Sequence, residues 1–159
     1  MARQERFTSA NSYFRSADGH RQAAQLLYPH VQQQSDRVSS VFLAFYNVLG
    51  FAIELYLKAF LANRGFDSDK LSQRQYGHHL KVLYDAAVSS GLYNLPGYLQ
   101  VHPSALARVV EIIGPRFESY AYRYINDLDD VYSYIETMDI IWVVLDDLQQ
   151  RVRQSGITI

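Results

Sequence analysis

Glu54 and Lys58 stand four residues apart, acid first, inside the most apolar stretch of a 159-residue chain. In a helix, that spacing and order bring a carboxylate and an ammonium together. The surrounding sequence from Val41 to Ala62, VFLAFYNVLGFAIELYLKAFLA, is apolar on nearly every side. A helix of that kind belongs in the centre of a domain. An ion pair placed there must be desolvated, which makes it weak evidence for stability alone. Perturbed ionisable groups concentrate at functional sites, so the pair is a candidate for chemistry as well as for structure. Asp36, Ser40, Asn47 and Gly50 recur at helical spacing with Glu54 and Lys58 and share their face.

Two further groups of residues have suitable types. His78 and His79 follow Gly77 at the predicted start of a later helix. A histidine there can act as acid or base, or hydrogen-bond the Glu54–Lys58 pair. The structural alternative is one ring capping the helix and the other facing water. Arg123-Tyr124, with Tyr120 and Tyr122, sets a guanidinium beside aromatic rings. That combination can hold a phosphate and stack a base, or it can simply dock the segment on a bundle. The remaining histidines, His20, His30 and His102, are scattered along the chain. A metal site needs several converging ligands, so neither a metal nor a cofactor is expected. The sequence carries no GxxxxGK[ST] or GxGxxG phosphate loop and no nucleophile elbow.

Composition narrows the classes. With 48% hydrophobic and 19% charged residues the chain reads as folded, and its length suits one domain with a sizeable core. A formal net charge of −1 gives no global field for nucleic acid or anionic membranes. The absence of cysteine removes thiolate metal sites, disulfides and cysteine nucleophiles. Val41 to Ala62 is long enough to span a bilayer. A charge at the centre of such a span costs roughly 2.5–3.5 kcal/mol, and this stretch holds two. A buried helix away from any membrane is the expectation. MARQERFTSANSYF has no apolar signal-peptide core, which predicts a cytoplasmic protein.

The elements that must position these residues are helical. The first helix is expected to start at Ser9 or Asn11, to be weakened at Asp18-Gly19, and to end or kink at Pro29. Ser35 or Asp36 is expected to cap the second, which runs to about Asn63 with Gly65 as its C-cap. Phe66 to Tyr76 reads as a loop with a short helical turn, followed by a third helix through Leu80, Leu83, Tyr84 and Ala87 that stops at Gly91. Gly91 to Pro103 reads as irregular. Ser104 is predicted to cap a short helix ended by Gly114-Pro115. In RFESYAYRYI the tyrosines alternate, so this segment is predicted to be extended with its rings on one side. The last helix is predicted from about Asp127 to Arg153. The sum is a single all-α domain built on three long helices.

Within this frame, Glu54-Leu55-Tyr56-Leu57-Lys58-Ala59, then Gly65, then Tyr76-Gly77-His78-His79-Leu80-Lys81-Val82-Leu83, and later Arg123-Tyr124, form a recognisable series. The series resembles the "E-L-x-L-K-A … G-H-x-L-x-x-L" pattern and later Arg-Tyr pair of the HEPN superfamily, helical domains named for nucleotide binding in prokaryotes and higher eukaryotes. The likeness covers Phe51 to Gly91 well and the ends only by helix order. It implies an antiparallel bundle of about four or five helices. It also implies a homodimer, a nucleotidyltransferase-type partner protein, and a place in toxin–antitoxin or defence systems. Many HEPN members are metal-independent ribonucleases that use Arg-x4–6-His near the start of a late helix. Here the predicted last helix holds no histidine. Literal matches at Arg15…His20 and Arg74…His79 fall in the first helix and in a loop. His78, which follows the glycine of the pattern, is the residue the likeness transfers.

The sequence therefore predicts a HEPN-like binding or interaction module for a nucleotide or other phosphate-bearing ligand. Its expected ligand-binding residues are Glu54, Lys58, His78, Arg123 and Tyr124. In that reading Lys58 and Arg123 receive the anion, Glu54 orients Lys58, and His78 bridges the helices. One alternative is a metal-independent ribonuclease acting on RNA, with His78 or His79 as acid–base and Arg74 or Arg123 stabilising phosphate charge. Another is a polar cluster that is purely structural.

Overall fold

The computed structural model describes residues 7–31, 40–98, 100–123 and 139–158. Among them are six α-helices and no strand. Ser9 caps α1 (Ala10–Leu27) by accepting from the Ser12 amide at 3.1 Å. Asp18-Gly19 does not interrupt α1, and Pro29 does end it, turning Tyr28–His30 into a single 3-10 turn. The 24-residue α2 (Ser40–Asn63) is followed by Gly65 at φ 92, a left-handed conformation that glycine adopts without strain. Asp67 caps the short α3 (Ser68–Ser72). Then come α4 (Leu80–Ser89), α5 (Pro103–Glu118) and α6 (Asp139–Gln154). A second 3-10 turn, Leu92–Asn94, follows Gly91 within the segment read as irregular.

The apolar surround of α2 has the consequence its sequence implies. It lies at the centre and packs against α1, α4, α5 and α6. Phe45, Tyr46, Leu49, Ile53, Tyr56, Leu57 and Phe60 are fully buried, each such aliphatic or phenyl side chain contributing roughly 1.5–3 kcal/mol on burial. By length and composition Val41–Asn63 passes for a membrane span, yet 67% of its most apolar stretch is buried within the protein. Aromatic contacts Phe14–Tyr56 and His20–Phe51 between α1 and α2, continued by Tyr28–Phe45 from the turn after α1, run in opposite chain order, so these two helices are antiparallel.

Four expectations are corrected. Ser104 does not cap α5; His102 does, its ring accepting from the Ser104 amide at 3.1 Å, with Pro103 in the first turn. Nor does α5 stop at Gly114-Pro115, since it continues to Glu118. Proline inside a helix costs roughly 3 kcal/mol. Burial of the next-but-one residue, Phe117, offsets most of that. The segment read as extended is then the end of α5 and a set of turns held by Ala121 N–H to the Arg116 carbonyl and Arg123 N–H to the Tyr120 carbonyl, both 2.9 Å. Its tyrosines do not share a side. Tyr120 is exposed, while Tyr122 is buried and stacked on Tyr46 with ring centroids 5.5 Å apart. The predicted cap at Ser35 or Asp36, Tyr124, and the predicted start of the last helix at Asp127 lie outside the described residues.

Candidate functional site

Glu54 and Lys58 are turned inward, 3% and 7% exposed. Lys58 Nζ donates to Glu54 Oε1 at 2.7 Å, and His78 Nδ1 stands 2.9 Å from Glu54 Oε2. Both oxygens of one buried carboxylate are therefore engaged, one from its own helix and one from the turn before α4. Glu54 ionised can only accept, so Nδ1 of His78 carries the proton and Nε2 is the nitrogen left without a hydrogen-bond partner among the described residues. Tyr13 on α1 is the neighbour on the other side. Burial raises its hydroxyl's pKa, opposed by a hydrogen bond from Thr8 and reinforced by the negative charge of Glu54.

His78 is placed by a tight turn in which the His79 amide donates back to the Gly77 carbonyl. Its ring makes edge contacts with Phe51, Phe117 and Tyr120, with centroids 5.6, 5.7 and 5.6 Å away. Gly50 makes this assembly dense. A Cβ there would stand 2.3 Å from Phe117 Cδ2, so only glycine lets the phenyl ring lie on α2. Among the described residues the non-glycine positions with positive φ are His78 (29) and Tyr120 (62). These two rings meet edge to face. Such conformations cost roughly 1–3 kcal/mol and cluster at functional sites.

Arg123 lies exposed on the same surface, its guanidinium 4.4 Å from the Tyr120 ring centre and 5.3 Å from that of Phe51. It makes no ion pair among the described residues. Arg123 thus reaches the Glu54–Lys58–His78 cluster through rings rather than by a direct bond. His79 does not join Glu54 among the described residues; its Nδ1 sits 3.2 Å from Glu118 at the end of α5. Arg74 is exposed in the turn after α3 and joins no part of the cluster among the described residues.

Two features were missed in the sequence. His20, taken as one of the scattered histidines, brings its ring to within 5.2 Å of the Phe51 centroid. No local signal marks it, because its place depends on the register of α1 against α2. The second is another buried pair on α6, Asp147 and Arg151, 5% and 7% exposed. Arg151 Nε donates to Asp147 Oδ2 at 2.9 Å and its Nη1 to the Leu95 carbonyl at 2.7 Å, while the Tyr98 amide donates to Asp147 Oδ1 at 2.7 Å. The acid-first spacing of four was available, but in LDDLQQRVR it reads as a solvated face. Both Asp147 oxygens and the Arg151 Nε and Nη1 have partners, and the pair anchors the 95–98 loop rather than opening to solvent.

Comparison of the chain with family models, with curated proteins and with solved structures finds no match.

Proposed function

We propose that this chain is a HEPN-like helical module that binds a nucleotide or another phosphate-bearing ligand on the surface formed by His78, Tyr120 and Arg123. In this reading the buried Glu54–Lys58 pair stands behind the ligand and holds His78 in place. Lys58, already bonded to Glu54 and buried, has a supporting role, and Arg123 becomes the group that receives the anion. One observation carries the reading. A buried carboxylate fixes an imidazole that packs against Phe51 and Tyr120, the same two rings on which an exposed guanidinium rests. The resemblance adds a homodimer and a nucleotidyltransferase-type partner to this reading. Titration calorimetry with adenosine monophosphate tests it. Arg123→Ala is expected to weaken binding by about tenfold or more, the loss of one charge-assisted contact. Unchanged affinity in Arg123→Ala removes the reading.

The same Glu54–His78 hydrogen bond favours a second reading, metal-independent RNA cleavage. An imidazole oriented through Nδ1 by a carboxylate is arranged for acid–base work at Nε2, with Arg123 beside it to stabilise phosphate charge. RNA left intact by the purified protein in long incubation contradicts it, as does cleavage that persists in His78→Ala.

A further inference from the structure

His20 lies on α1 and His78 in the turn before α4, yet both rings rest on Phe51, with centroids 5.2 and 5.6 Å from its own. Arg123 stands over the same phenyl ring. The two imidazoles are also held alike. His20 Nδ1 is 2.8 Å from the Ser16 carbonyl one turn earlier on α1, and a carbonyl can only accept. Its Nδ1 therefore carries the proton, as does that of His78 against Glu54, and in both rings Nε2 is the nitrogen without a protein partner among the described residues. Phe51 is thus bordered by one permanent cation and two imidazoles, each with an Nε2 that presents a lone pair when neutral and a proton when charged.

That donor set discriminates between classes of phosphate. A phosphodiester has one negative charge and no proton to give, so only a charged imidazole can bond it, and a neutral Nε2 meets its oxygens lone pair to lone pair. A terminal phosphate monoester ionises a second time near pH about 6, close to the ordinary range of an imidazole. It can share that proton with Nε2, either as P–O–H to nitrogen or as imidazolium to oxygen, while Arg123 takes its remaining charge. No bond is made or broken in this recognition. We infer that His20 is a further binding residue of the site and that the site selects a terminal phosphate monoester over an internal phosphodiester. This inference rests on the ligand-binding reading above.

Calorimetric titration of the wild-type chain with adenosine monophosphate, cyclic adenosine monophosphate, inorganic phosphate and adenosine, repeated in His20→Phe and Arg123→Ala, tests it. His20→Phe keeps a ring against Phe51 and removes both nitrogens. The wild type is expected to bind the monophosphate about tenfold or more tightly than the cyclic diester. His20→Phe should weaken the monophosphate and inorganic phosphate in parallel, narrowing the gap to the diester, and leave the diester unchanged. Equal binding of monoester and diester, or a His20→Phe variant that binds the monophosphate like wild type, overturns the inference. If Arg123→Ala still weakens binding in that case, the broader reading survives. Adenosine binding as tightly as its monophosphate, or no binding of any phosphate, removes both.

Discussion

Glu54 offers two oxygens and the protein fills both, with Lys58 at 2.7 Å and His78 at 2.9 Å. The lysine half of that arrangement was legible, because acid-first spacing inside an apolar helix leaves the pair little choice but to close on itself. The histidine half followed from chain order and the glycine before it. His20 was not legible, since only the fitting of α1 along α2 brings it to Phe51. Removing one member of the buried pair leaves the other charge without compensation, a loss of roughly 3–5 kcal/mol, whereas replacing both by apolar side chains is often nearly neutral. Lys58→Met should therefore lower unfolding free energy by about 3–5 kcal/mol in urea titrations. Glu54→Leu/Lys58→Met should lose clearly less. A double variant as unstable as the single one contradicts an uncompensated charge as the cause.

The elements that carry the site are joined where small residues permit it. α5 reaches α2 because Gly50 leaves room for Phe117, and Phe117 in turn supports His78. Gly50 was read as a member of a polar stripe, and its face was located correctly, but its role is a close approach of helices. Gly50→Ala gains about 1 kcal/mol of helix propensity. It also drives a Cβ into a rigid, buried ring at 2.3 Å, and overpacking of that kind costs roughly 1–3 kcal/mol. The expected net effect is destabilisation by about 1 kcal/mol, together with weaker ligand binding as the His78 ring shifts. Thermal unfolding checks the first and calorimetry the second. A more stable variant with unaltered binding contradicts the contact. The expected extended run also fails at Tyr120 and Tyr122. Alternation with period two arose from a turn that buries Tyr122 and exposes Tyr120, and a single segment without a partner strand had no ladder to join.

At the scale of the whole molecule, the all-helical class was legible because apolar spacing near 3.6 dominates every long segment. The arrangement of the helices was not, since it depends on which faces meet. The interior is rich in tyrosine, and this sets how the fold responds to alkali. Burial raises the pKa of Tyr56, Tyr93 and Tyr122 above the ordinary value of tyrosine. A hydrogen bond to Asp18 adds to the rise for Tyr56, and one to Tyr84 adds to it for Tyr93. The unfolded chain loses these protons from about pH 10 while the folded one keeps them. Above that pH the unfolded state binds fewer protons, so stability falls as pH rises, and the full contribution is present below pH 10. Helical circular dichroism should be lost above about pH 10 together with the appearance of tyrosinate absorbance from these buried rings. Their ionisation near pH 10 with the helices intact contradicts the assignment.

The most direct test of the proposed site follows the imidazole resonances of the five histidines by NMR as adenosine monophosphate is added. The resonances of His20 and His78 should move together to saturation while those of His30 and His102 stay fixed, and Arg123→Ala should weaken the response. If His20 and His78 remain still up to millimolar ligand, no phosphate is received at Phe51, and the central claim is contradicted.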